Sequence, residues 1–125
     1  MKKPANKYRV APKKTPHNAL KAACVEFLKL GGHAAWPNNT GAFTGEYKGK
    51  TRFVRFSVKG ASDVFGVLKP MGRFIAAECK VGRDKLRPEQ VEFMEAIRSV
   101  GGIVVEVRKL DDLVDAVKTA ESSKT

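Results

Sequence analysis

Apolar residues recur along this chain at two periods, and each change of period marks an element. Leu20, Ala23, Cys24, Phe27, Leu28 and Leu30 fall at helical spacing. Thr15 is placed to cap that helix, Pro16 suits its first position and Gly31-Gly32 ends it. The next stretch, H-A-A-W-P-N-N-T-G, breaks the period. His33 and Trp36 are expected to pack over the helix end, and Pro37 to Gly41 reads as a turn. Two strand-like runs, 42–47 and 52–58, flank Lys48-Gly49-Lys50 and predict a hairpin. A short strand over 64–68, a turn at Pro70-Met71-Gly72 and a strand over 73–80 follow. In that last run Phe74, Ala76, Glu78 and Lys80 share one face, while Ile75, Ala77 and Cys79 share the other. Cys79 therefore points into a core and reads as a small apolar residue rather than a nucleophile.

A polar loop over 81–87 leads to Pro88, which opens a second helix with Glu89 in its first turn. Val91, Met94, Ile97 and Arg98 fall at helical spacing, with Phe93 and Val100 flanking, and Gln90 is expected at the N-terminal end of the buried face. Gly101-Gly102 stops it. The near-continuous apolar run 103–107 is what a central or parallel strand requires, and 111–120 is a closing amphipathic helix. Strand, helix and strand between Phe74 and Val107 call for a parallel crossover. The expected fold is thus α/β, a mixed β-sheet flanked by helices. Its order is α-β-β-β-α-β, with an extra N-terminal hairpin strand and a C-terminal helix.

The chain has 125 residues, one domain's worth, long enough to bury a core without staples. Residues 1–16 carry six positive charges, no acid and three prolines, and read as a flexible basic arm. Residues 17–120 form the domain, and 121–125 a frayed tail. No apolar run approaches the roughly 20 residues that cross a bilayer, so no membrane association is expected. The N-terminus lacks an apolar segment and a cleavage site. Cys24 and Cys79 lack ligand-like spacing, so a cytoplasmic protein without disulfides is expected.

Net charge is +11. Residues 27–88 hold twelve Lys and Arg against four acids, while residues 89–125 hold five against eight. A basic middle with a small acidic spot suits a polyanionic substrate that must meet a cation. The acidic spot is specific in its placement. Asp63 heads one strand. Glu78 and Lys80, two apart, leave the next strand on the same face. Two carboxylates offer hard oxygens for Mg²⁺, with Mn²⁺ as a substitute, and an ammonium beside them stabilises charge. Hydrolysis of a phosphodiester asks for this set: an activated water, and neutralisation of the negative charge that grows in the transition state.

The order Asp63, then Glu78-Cys79-Lys80, resembles the PD-(D/E)XK nuclease superfamily. The wider pattern is similar to one branch, the VRR-NUC (virus-type replication–repair nuclease) family. The pieces that carry the resemblance are Asn39-Thr40-Gly41, Lys59-Gly60-Ala61-Ser62-Asp63, the run from Gly72 to Lys80, Leu86-Arg87-Pro88-Glu89-Gln90, and Gly101-Gly102 before a Val-rich strand. They cover about residues 18–117. Ser62 departs from the Pro of the superfamily's name. The resemblance implies a restriction-endonuclease-like core and Mg²⁺-dependent cleavage of DNA, branched or Holliday-junction-like in structure, by a homodimer. It also implies a metal-ligand role for the backbone carbonyl of Cys79. Gln90 would reach back to Lys80 or the phosphate, and Glu26 on the first helix would bind metal directly or through water. Lys80 is expected to act electrostatically, because general-base work would require a large pKa depression.

Arg52, Arg55, Lys59, Ser62, Arg83, Lys85 and Arg87 surround this spot and are the expected nucleic-acid contacts. With no base-reading helix or zinc motif in the sequence, recognition of DNA shape is expected over recognition of sequence. Two readings compete with an endonuclease. One is a non-catalytic nucleic-acid-binding module that keeps the fold. The other is a basic structural or ribosome-associated protein.

Overall fold

The computed structural model describes residues 15–38, 42–47, 50–55 and 58–122, the two hairpin strands by their backbone alone. It is α/β, a four-stranded mixed sheet flanked by helices. The elements in chain order are α1 (Pro16–Leu30), β1 (Ala34–Pro37), β2 (Ala42–Tyr47), β3 (Lys50–Arg55), β4 (Val64–Leu68), β5 (Arg73–Cys79), α2 (Pro88–Ser99), β6 (Ile103–Val107) and α3 (Leu110–Ser122). The main sheet has the order β1-β4-β5-β6. Its first two pairings are antiparallel and the last, β5 with β6, is parallel.

Two elements differ from expectation. Ala34–Pro37, read from the sequence as a helix cover running into a turn, is the edge strand of the main sheet. It pairs with β4 from Ala34 opposite Val67 to Pro37 opposite Val64. Proline is tolerated there because an edge strand need not donate on its outer side. The hairpin of β2 and β3 pairs with itself as a separate two-stranded sheet, with Ala42 opposite Arg55 and Tyr47 opposite Lys50, and does not extend the main one. The Asn39-Thr40-Gly41 run and residues 1–14 of the arm lie outside the described residues; Thr15 and Pro16, assigned to the arm, cap and begin α1. The last helix reaches Ser122, so Glu121, expected to fray, belongs to it.

The sheet divides the molecule into two unequal layers. On one face Cys24 and Leu28 of α1 and Leu113 and Val117 of α3 close over Val64, Ile75, Ala77, Cys79 and Val107, all buried. The alternation along β5 assigns Ile75, Ala77 and Cys79 to this core. The Sγ atoms of Cys24 and Cys79 meet there at 4.0 Å. The contact with Cys24, and next burial, push the Cys79 thiol up, which keeps it in the protonated, inert form of a core residue. On the other face Phe65 stacks on Phe93 of α2 at 6.0 Å and tilts against Phe74 at 5.3 Å. This second layer ends toward the C-terminal tip of β5, where Glu78 and Lys80 emerge.

α1 begins as its sequence directs: Thr15 caps it and accepts from the Asn18 N–H at 3.1 Å. α2 begins at Pro88, and the Arg87 N–H donates to Gln90 Oε1 at 2.9 Å, one arm of a capping box. The turn before Asp63 presses directly on this helix start. Gly60 has φ +82°, and a Cβ there would collide with the Glu89 carbonyl oxygen, a backbone atom that has nowhere to go. Gly60→Ala is therefore expected to lower unfolding free energy by roughly 2 kcal/mol. Urea denaturation would show this; an unchanged midpoint would mean that the turn and helix are not in this contact.

Candidate active site

Three strand ends and two helix starts meet beside the parallel pair. Asp63 enters β4 with its N–H donating to the Ala77 carbonyl at 3.1 Å. Its own carbonyl accepts from the Asn38 N–H at 2.7 Å, and the Asn38 side chain donates to Ser62 O at 3.0 Å. The residue after β1 thus pins the approach to Asp63 from the far side. The Asp63 carboxylate turns toward β5, where Oδ2 accepts the Cys79 N–H at 2.9 Å. Cys79 also presents its carbonyl to the site: Cys79 O lies 3.1 Å from His17 Nε2, which is also 3.3 Å from Asp63 Oδ2.

Glu78 and Lys80 flank Cys79 on the sheet's other face. Glu78 is 2% exposed and Lys80 6%. Lys80 Nζ stands 3.7 Å from Glu78 Oε1, and Gln90 Nε2 donates to the same oxygen at 2.6 Å. Glu78 Oε2 is buried, with no hydrogen-bond partner among the described residues. Burial, and next the charge of Asp63, push the Glu78 carboxyl up to about 7 against the pull of Lys80. Close to neutrality this group is poised between acid and carboxylate. Glu106, registered beside Glu78 on β6, is turned to Arg108, whose Nε donates to it at 2.7 Å.

Compared with known proteins, the chain matches no family model, and no curated protein matches it.

Asp63, Glu78, Lys80, Gln90 and the Cys79 carbonyl come together as the sequence expects them to, with one change of partner. Gln90 holds Glu78, whereas Lys80 or a phosphate was expected; its amide reaches the carboxylate because its own oxygen is fixed on the helix cap. Glu26 is elsewhere. It is exposed and lines a groove on the outer side of α1 with Lys21, Val25, Lys29 and Pro37. Two residues from both Cys24 and Leu28, it is turned to the opposite side of the helix from the buried stripe. The α1 residue that reaches the site is His17, which sequence reasoning missed. It lies seven residues before Cys24 and three before Leu20, in line with that stripe.

The expected nucleic-acid contacts divide. Lys59, Arg83, Lys85 and Arg87 are exposed. Ser62 is not: it is wholly buried, its Oγ without a partner among the described residues, so it is not available to a nucleic acid. Arg52 and Arg55 lie on β3, whose side chains are outside the described residues. Arg108 shapes the loop that bears Arg83 and Lys85, because its guanidinium donates to the carbonyls of Gly82 at 3.2 Å and Asp84 at 2.5 Å. No helix among the described residues is long and apolar enough to cross a membrane.

Among the described residues no group of three or more His, Cys, Asp or Glu side chains is placed to hold a metal ion. A divalent ion must instead take part of its coordination from the main chain and from water, as Mg²⁺ does when held by one or two carboxylates. The donors present fit that pattern in kind. The Asp63 carboxylate and the Cys79 carbonyl are hard oxygens that both face His17. The unpartnered Glu78 Oε2 is a buried acceptor of the kind that an ion or its water satisfies.

Proposed function

We propose that this chain is a metal-dependent DNA endonuclease that hydrolyses phosphodiester bonds, with a core of the PD-(D/E)XK type and the closer pattern of the VRR-NUC branch. The observation that carries the reading is the convergence at one residue: Cys79 offers its carbonyl beside the Asp63 carboxylate, and its two neighbours are a buried glutamate with an orphaned oxygen and a buried lysine. Buried charges of this kind are costly to a fold that does not use them.

A bound Mg²⁺ or Mn²⁺ would supply Lewis acidity and a water of lowered pKa. Asp63 and the Cys79 carbonyl would hold the ion, with Glu78 the second carboxylate beside it. Lys80 places an ammonium where charge develops on the scissile phosphate. Gln90 fixes Glu78 in orientation. The exposed Lys59, Arg83, Lys85 and Arg87 would take phosphates on either side. Branched DNA as substrate and a homodimer as working unit come with the resemblance, and sedimentation with and without a four-way junction would test both.

The test of the central reading is cleavage of fluorescent branched and linear DNA in Mg²⁺, Mn²⁺ or EDTA. Cutting that EDTA abolishes is the expected result. A second reading, a nucleic-acid-binding module with this fold, draws on the exposed Lys59, Arg83, Lys85 and Arg87, which would hold phosphates with or without an ion. Binding without cutting in either metal would establish it and sink the first. Both readings share one expectation. Replacing Arg83, Lys85 and Arg87 together by Ala should weaken DNA binding at all sequences and flatten the plot of log K against log salt by about 3, roughly one per lost phosphate contact. A salt slope that does not change would place the nucleic acid elsewhere.

A further inference from the structure

We infer that His17 contributes a nitrogen ligand to the divalent ion of this site, so that the site prefers Mn²⁺ to Mg²⁺. The inference rests on the endonuclease reading for the presence of an ion and goes beyond it in the donor it adds. The residues that carry the resemblance include no histidine. The geometry supplies one. His17 Nε2 stands 3.3 Å from Asp63 Oδ2 and 3.1 Å from Cys79 O, and so faces both oxygens that would hold the ion. An octahedral ion with bonds of about 2.1 Å separates neighbouring donors by about 3.0 Å. The His17 nitrogen already stands near that spacing from each of the two oxygens.

With its proton on Nε2 the ring donates to the two oxygens. With its proton on Nδ1 the same ring turns a lone pair toward the point between them, and a small outward shift of the half-exposed side chain makes room. Imidazole is a softer donor than carboxylate or water. It adds little to Mg²⁺ binding and more to Mn²⁺, and across a mixed nitrogen and oxygen set it moves preference along the first-row metals. The helix supports the position: His17 is the second residue of α1, behind a cap and a proline that fix the first turn.

Mn²⁺ titration of the full chain, followed by pulsed electron paramagnetic resonance of the bound ion, tests the assignment. Wild type should show a histidine ¹⁴N coupling that changes when the protein is grown with ¹⁵N-histidine. His17→Ala should lose the coupling and weaken Mn²⁺ binding by at least the roughly 10-fold that loss of even an outer partner costs, with a smaller loss for Mg²⁺. His17→Gln keeps an N–H donor for the two oxygens, so it separates a strut from a ligand. It should restore thermal stability without restoring the coupling.

Mn²⁺ bound in an Asp63-dependent manner with no histidine coupling would overturn the assignment and leave the endonuclease reading intact. A wild type that binds no Mn²⁺ at Asp63 and cuts DNA nonetheless would overturn it equally. A histidine coupling in a protein that never cuts DNA would uphold His17 as ligand and remove the endonuclease.

Discussion

Asp63→Asn should abolish metal-dependent cleavage of DNA, by about 10³-fold or more, in a protein that stays folded. The fold survives because an amide oxygen still accepts the Cys79 N–H that Asp63 Oδ2 takes at 2.9 Å. What is lost is the negative charge that faces the ion. A bound metal supplies several kcal/mol of charge stabilisation in the transition state, and each 1.4 kcal/mol is about one decade in rate. Single-turnover cleavage with saturating protein, beside a thermal melt, checks the prediction. A folded Asp63→Asn that cuts within 10-fold of wild type would remove Asp63 from the site.

The second large effect is one of pH on stability, read in EDTA. Glu78 titrates at about 7 in the fold against an ordinary 4.5, so the folded state binds its proton more tightly than the unfolded chain does. Between these values the folded state holds more protons, and stability falls as pH rises. The contribution of the protonated carboxyl is fully present below about 4.5 and is gone above about 7. This is opposite to the behaviour of an ordinary ion-paired acid. The group is almost wholly buried, and the separation of the two values amounts to about 3 kcal/mol. Glu78→Gln carries no titrating group at this position and serves as the reference. The unfolding free energy of wild type minus that of Glu78→Gln, measured by urea in EDTA from pH 5 to 8, should fall by up to about 3 kcal/mol. A flat or rising difference would show that Glu78 is ionised throughout. In Asp63→Asn the fall should be smaller, because the second cause of the shift has been removed.

The readable part of this molecule is the part held by local pattern. β4 and β5 announce themselves as short apolar runs parted by Pro70-Met71-Gly72, and the two-residue period of a strand separates Cys79 from Glu78 and Lys80. α2 follows from Pro88, but of its expected stripe Met94 is buried while Val91 is exposed. β1 was not legible because Ala-Ala-Trp-Pro has neither period nor a β-branched residue; its state is set by pairing with β4. That the hairpin forms its own sheet was not legible either, since a hairpin signal fixes who pairs with whom but not where the pair goes. Ser62 is expected at the surface because it adjoins Asp63 in a polar stretch, and the fold buries it wholly. Glu26 is expected at the metal only through the resemblance, and its angular position puts it away from the buried stripe. The angular position along the helix favoured His17, and a polar side chain in register with a buried stripe at a helix start was the signal.

Cys79 shows what the middle letter of Glu78-Cys79-Lys80 is for. Its thiol is clamped in the core against Cys24, its N–H is tied to Asp63 and its carbonyl faces His17. One residue thus works as a keel, with its ballast on one side of the sheet and its working edge on the other. The aim of that carbonyl is inherited from the volume packed behind it, so the site is tuned from the dry side of the sheet by a side chain that no substrate touches.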